Sequence, residues 1–530
     1  MKRQTTGLAI ALAALLVLGG CTGSDAARDK GTSNDRAESK DRAESKDRAD
    51  STGANPCAVG DTAPSKALIA CGETSVVFIE TPYATGTGVA VRIDEVDYVV
   101  TNLHVVDPFE AVDVSLGGDA DLGPLPVIGA DVAADIALLG PIEDAGELEP
   151  LPLGDPTVEK GDDVFLLGFP GSSDTLDAEL TITSGIVSRT RTAEGWDQTY
   201  IQSDAVIGEG QSGGALFAAT GELAGISGLS YDPAFALSLS IQDVERSVAR
   251  ILDGEGDELL LVPLTAEDAE GGATSGTIAA PDDLESYVLY LPASETARTW
   301  ELQVQGPTDR FGVLVGDSFE GTVLAQSATY DVLLQEFLSQ LSDRSGLSAA
   351  ELGAPEPVDE AVRAAEVAPG SFRIEMEPDV AAEVVIQLAV GVKDAALTWT
   401  SSLPLWPLTE QVEPRTLTLD EPVEGTISGF RAGIPFDVEL EAGVEVELLA
   451  SSPQGDLAII LAPPGVTMNA VDVDPEVDHE QLEHFDDSGE GLYGFGVRET
   501  FTPEVSGVHR LWLNNYDMTP VAYRVAVTTG

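Results

Sequence analysis

Between residues 75 and 230 the apolar side chains fall in short runs separated by Gly, Pro and Asp. "SVVFIE", "GVAVRI", "DYVVTNLHVV", "AVDVSL", "ADIALLG", "DVFLLGF", "ELTITSGIVSRT", "TYIQSD" and "GALFAA" each read as a strand. Strands at this density without helical periodicity predict a barrel or a sandwich. Helical spacing enters only at "IQDVERSVARIL", residues 241–252, where Val244, Val248 and Ile251 share one face. The pattern therefore predicts an all-β domain closed by one C-terminal helix.

The second half is again β-rich. "SYVLYLPA", "TWELQVQG" and "VVIQLAVGV" precede the Pro-rich break "SLPLWPLTE" at 402–410. Beyond it "FDVELEAGVEVELLA" alternates across a Gly turn, with Phe436, Val438, Leu440, Val444, Val446 and Leu448 on one face. A helical insertion is predicted between 328 and 367, from "TYDVLLQEFLSQL" to "VDEAVRAAEV". Two sandwich-like modules, the first with that insertion, follow the N-terminal β domain.

Composition adds two facts. The 530-residue chain is 43% hydrophobic, enough for several cores. It carries 91 acidic against 27 basic residues, a net charge of −64, which repels nucleic acid and anionic headgroups, so neither is expected as a partner. The N-terminus is different. "MKRQTTGLAIALAALLVLGGC" has a basic start, an apolar run too short to span a bilayer, and a small-residue exit, as a secretory signal does. "LGGC" resembles the lipobox of bacterial lipoproteins, which makes Cys21 the candidate lipidated residue; an ordinary cleaved signal is the alternative. The period-six run "DRAESKDRAESKDRAD" then forms a charged tether with nothing to bury. The other cysteines, Cys57 and Cys71, are an even pair in an oxidising compartment and are expected to be bridged rather than free.

Candidate chemistry centres on "SDAVIGEGQSGGALF", 203–217. A serine hydroxyl needs a positioned base before it attacks. Of the four histidines, His104, His479, His484 and His509, only the first lies in the same β domain. Asp135, at the start of the strand "IALL", is placed to orient that imidazole; Asp131, earlier on the connection, is the alternative and is expected to be solvated. The tight turn through "GQS" can aim the amides of Gly210 and Ser212 at one oxyanion. Its bland alternative is a Gly-rich turn without chemistry.

Four segments, in order, resemble trypsin-fold serine proteases of the Deg/HtrA type: "GTGVAVRIDEVDYVVTNLHVV", "DIALL", "LGFPG…ELTITSGIVS" and "YIQSDAVIGEGQSGGALF". The resemblance covers residues 74–253. It implies a two-barrel domain with His104 as general base and acid, Asp135 as its orienter, Ser212 as nucleophile, and no cofactor. By the same resemblance Val206 lines the base of the specificity pocket, which implies cleavage after small aliphatic residues. Gln211 replaces the family's usual Asn, and no segment resembles a PDZ domain, so activation by peptide C-termini is not carried over. Residues 414–529 resemble pre-peptidase C-terminal domains.

The acidic stretch "DVDPEVDHEQLEH", 472–484, misses the zinc spacing because Glu483 stands where a second His belongs. It misses the calcium-loop pattern because Val477 replaces the turn glycine. It reads as a surface loop, and no metal site is expected. The domain reading is then a lipoprotein signal over 1–20, lipidated Cys and linker over 21–56, protease over 57–255, a sandwich-like module over 258–402 and a second over 408–530. The functional expectation is an extracytoplasmic, lipid-anchored serine endopeptidase acting on protein or peptide substrates. The alternative is a non-catalytic surface lipoprotein on a protease-like scaffold.

Overall fold

The structure is a computed structural model. It describes most of residues 55–257, with 171–178 the longest omission, and most strands between 274 and 529. The signal, Cys21 and the charged tether lie outside the described residues.

The first barrel is built from β1 (Val76–Glu80), β2 (Thr85–Ile93), β3 (Val96–Asn102), β4 (Ala111–Ser115), β5 (Asp121–Asp131) and β6 (Ile136–Leu139). The order β1-β4-β5-β6-β3-β2 closes because β1 pairs with both β2 and β4, and the short β7 (Leu151–Pro152) adds to β2. The second barrel is closed in the order β10-β13-β12-β11-β8-β9. Its strands are β8 (Asp163–Gly168), β9 (Thr181–Ala193), β10 (Gln198–Ser203), β11 (Ala215–Ala218), β12 (Leu223–Asp232) and β13 (Phe235–Ser240).

Why the two barrels stick together is visible in the period-two alternation of their strands. On β6, Ala137 and Leu139 fill the first barrel, while Ile136 and Leu138 point to a core shared with the second. On β11, Leu216 fills the second barrel, while Ala215 and Phe217 join that shared core. These strands are buried on both faces, so they read as continuous apolar runs. Burial of each large side chain there contributes roughly 1.5–3 kcal/mol. The predicted helix is α3 (Ile241–Leu252), and Val244, Val248 and Ile251 enter the same shared core. Ser240 caps it, accepting from the Asp243 amide at 3.3 Å.

Four local readings are corrected. "LHVV" is not strand but a single helical turn, α2 (Leu103–Val106). Strand β5 is an addition to the strands the pattern predicts; its Pro124 and Pro126 are tolerated because residues 121–126 pair only with β4, leaving their missing N–H groups without a ladder partner. Helix α1 (Pro64–Ser75) was also not anticipated. It carries Cys71, bridged to Cys57 with Cα atoms 5.2 Å apart. The segment before it is fastened to the second barrel by the Val59 amide donating to Thr220 at 3.0 Å. Finally, residues 362–367, read as the end of the helical insertion, belong to the strand Val362–Ala368, paired with Ser371–Met376. The rest of that insertion lies outside the described residues.

The chain beyond 274 forms two further pairs of sheets. In the last pair, Phe436, Val438, Leu440, Val446 and Leu448 share one core with Leu457, Leu513 and Tyr523. Val444, expected on the same face, is 40% exposed, because the turn at Gly443 lifts it out of the alternation.

Candidate active site

Asp135 ends a tight turn between β5 and β6, in which the Ala134 amide donates to Asp131 O at 3.2 Å and the Asp135 amide to Val132 O at 3.3 Å. Its φ of +53° lies in the left-handed region, at a cost of about 1–3 kcal/mol for a non-glycine residue. Surrounding bonds hold it there. The Leu103 amide and the Asn102 side-chain amide both donate to the Asp135 carbonyl, each at 3.0 Å. Its carboxylate accepts the His104 backbone amide at 2.9 Å and faces His104 Nδ1 at 2.6 Å. A carboxylate accepts, so Nδ1 carries the hydrogen and Nε2 is left as the basic nitrogen. Asp135 is buried and the imidazole about a quarter exposed, an exposure compatible with proton transfer to a group outside. Helix α2 makes this possible, because its first turn brings the amide and ring of His104 to one carboxylate.

Asp131, expected to be solvated, is buried instead. It accepts from Arg250 Nη1 at 2.8 Å, so its carboxylate serves the β5–α3 junction and is not available to the imidazole.

Ser212 lies on the loop into β11, where its Oγ donates to Gly228 O at 3.5 Å. Around it the amides of Gln211, Gly213 and Gly214 all donate, to Gly208, Ser227 and Gln211 respectively. Among the described residues the amides of Gly210 and Ser212 have no acceptor. Two free donors flanking a bonded one suit an oxyanion. Gly210 has φ +86°, and Thr87 Oγ1 donates to its carbonyl at 2.7 Å, which fastens this turn to the first barrel. The same Thr87 hydroxyl accepts from the Phe169 amide at 2.9 Å. Gln211 is buried, and its Oε1 accepts from the Gly208 amide at 2.7 Å, so the residue replacing Asn braces the loop.

The two halves of the site meet across the barrel interface. The Thr87 amide donates to Ser212 O at 2.9 Å, and Thr101 Oγ1 donates to Thr87 O at 2.7 Å. Gly213, with φ +83°, lies directly against Thr87 and Thr101, leaving no space for a Cβ. A Cβ on Gly228 would stand 2.7 Å from the Asn102 side chain, so the β12 edge beside Ser212 abuts the residue two before His104. Thr87, Thr101, Asn102 and Ser227 were not singled out in the sequence. The glycines on either side of Thr87 are the one hint, since they let strands approach closely.

Val206 is 59% exposed while its neighbours Ala205 and Ile207 are buried. Past the end of β10 the chain bends at Ala205 and leaves Val206 turned outward; among the described residues it is an open side chain rather than a closed pocket floor. His509 lies in the last sandwich, its Nδ1 3.1 Å from Gly507 O, remote from this chemistry. Most of the acidic stretch 472–484, with His479, lies outside the described residues.

Residues 86–226 match the family model of the trypsin-like peptidase domain. The chain is 35% identical over 149 residues to the serine endoprotease DegS of Escherichia coli (strain K12), covering 27% of this chain and 40% of that protein. It is 34% identical over 238 residues to a probable periplasmic serine endoprotease DegP-like of Halomonas elongata, covering 42% of this chain and 45% of that protein. Among solved structures, the serine endoprotease from Yersinia pestis is similar at 26% identity and a TM-score of 0.30, over 36% of this chain and 66% of that one. The chain thus spans less than half the length of these curated relatives. Its N-terminal half carries a trypsin-like peptidase domain whose homologues are Deg/HtrA serine endoproteases.

Proposed function

We propose that this chain is a serine endopeptidase working through an acyl-enzyme on Ser212. His104 Nε2 takes the hydroxyl proton as Oγ attacks the scissile carbonyl carbon. The amides of Gly210 and Ser212 hold the resulting oxyanion, and Asp135 stabilises the imidazolium. The imidazolium then gives its proton to the leaving amine as the C–N bond breaks. Water, deprotonated by the same imidazole, hydrolyses the acyl ester and restores the serine. The observation that carries this reading is the 2.6 Å His104–Asp135 pair, together with a Ser212 loop bonded to the same barrel through the Thr87 amide at 2.9 Å. No cofactor is needed.

Substrates are proteins or peptides, in segments that can lie extended beside β12. Residues 205–207 are Ala, Val and Ile and offer no carboxylate to a basic side chain. Cleavage after small aliphatic residues therefore fits better than cleavage after Lys or Arg, although Val206 itself does not form a closed floor. The relatives named periplasmic, together with the sequence of the first 21 residues, support an extracytoplasmic location with a lipid on Cys21. The last sandwich is assigned as a pre-peptidase C-terminal-like module. Casein digestion tests the central reading: the wild type should release peptides and Ser212→Ala none. A folded wild type that leaves casein and unfolded proteins intact would favour a binding lipoprotein on a retired scaffold.

A further inference from the structure

The last sandwich touches the protease domain at the turn that presents Asp135. Ala522, on the strand Val521–Thr529, is buried in one apolar cluster with Val132 of that turn, and Trp196 on the β9–β10 connection packs against the same cluster. Beside it Arg524 Nη1 donates to Gly195 O at 3.4 Å. The polar element of this contact is Gln454. Its Nε2 donates to the Tyr200 hydroxyl at 3.0 Å and is directed at Ala133 O at 3.5 Å. Tyr200 is fully buried on β10, and its hydroxyl donates in turn to Gln198 Oε1 at 3.1 Å. Burial pushes the phenol pKa well up, so this O–H remains a fixed donor while its oxygen accepts from Gln454. One amide therefore joins the second barrel, the last sandwich and a carbonyl two residues before Asp135.

The turn has tethers on its other residues. Arg250 holds the Asp131 carboxylate at 2.8 Å, and the Val132 amide donates to Asp257 at 2.7 Å. Ala133 is reached from the sandwich alone among the bonds described. A turn that ends on a residue at φ +53° relaxes when a restraint is lost, and its carboxylate then shifts against the imidazole.

Resting on the serine-endopeptidase reading, we propose that Gln454 is a positioning residue, through which the C-terminal sandwich holds the Asp135 turn in catalytic register and makes turnover depend on its docking. The module is then part of the enzyme's working geometry and not only an appended domain.

Kinetics of the full-length chain test this, with active sites titrated by a fluorophosphonate to correct for any unfolded fraction. Gln454→Ala should lower kcat about tenfold, since a misplacement of ~1 Å can cost up to about a hundredfold, and leave KM within about twofold. A loosened Asp135 stabilises the imidazolium less, so the acid limb of kcat/KM should move to lower pH. Gln454→Glu keeps the side chain's size but loses both donors, and should reproduce the loss. Wild-type kcat and pH profile in both variants overturn the inference, as does a defect in Gln454→Ala that Gln454→Glu lacks, which would mean packing alone. An inert wild type, neither labelled nor active, overturns the protease reading as well; an active wild type with indifferent variants overturns only this one.

Discussion

Thr87 shows how much of the site rests on a residue that touches no reacting atom. Its hydroxyl accepts from the Phe169 amide and donates to the Gly210 carbonyl, and its own amide donates to the Ser212 carbonyl. Thr87→Val keeps the shape and strands two buried partners, at about 1–3 kcal/mol each. It releases the Gly210 carbonyl and so loosens the turn that carries the proposed oxyanion amides, and losing one oxyanion donor costs about 10²–10³ in kcat. We predict a kcat reduced by roughly two orders of magnitude at nearly constant KM, with a lower Tm, measured by peptide hydrolysis and thermal melting. The His104–Asp135 pair was legible because each residue sits in a local pattern that chemistry constrains, and the same kind of pattern is what marks Ser212 as the proposed nucleophile. Thr87 was not, because one threonine in a strand looks like any other until its partners, 82 and 123 positions away, are in place.

At the scale of elements, the turn from β5 to β6 and the segment after α3 form one unit. Asp257 accepts the Val132 amide yet lies partly buried beside Asp131, and this burial raises its pKa above the ordinary carboxylate value. A folded-state pKa above the unfolded one favours the protonated form on folding. The stabilising contribution is present below the unfolded value and is lost as pH rises through the folded one. Asp257→Asn keeps an acceptor for Val132 and removes the charge, so Tm should rise modestly at pH 7–8 and the gain should shrink as pH falls towards 4. A constant gain at all pH values would contradict the assignment. The strands of both barrels were readable because fully buried and alternating runs are distinctive, and α3 because three apolar residues share its face. β5 was not, and its prolines are excused only by a one-sided pairing. α2 was hidden because one helical turn carries no periodicity.

For the whole molecule, a net charge of −64 sets a field that no single residue reveals. Cationic peptides should be drawn to it and anionic ones repelled. At low ionic strength kcat/KM should be higher for a peptide carrying Lys outside the cleavage site than for its Glu counterpart. The difference should vanish near 1 M NaCl, where the Debye length is ~3 Å. Salt-independent discrimination would instead indicate a local subsite. The split into a β domain and later sandwiches was legible from the Pro-rich break and the renewed alternation. Their docking was not, because Gln454 and Ala522 are ordinary surface-type and small residues until the fold sets the first against Tyr200 and the second in one cluster with Val132.

The central claim is that His104 and Asp135 make the Ser212 hydroxyl a nucleophile, and covalent labelling tests it most directly. Intact-mass and peptide-mapping analysis after fluorophosphonate treatment should find a single adduct, on Ser212. That adduct should be lost in Ser212→Ala and strongly slowed in His104→Ala. A folded wild type that takes no adduct, or an adduct that survives Ser212→Ala, would contradict it.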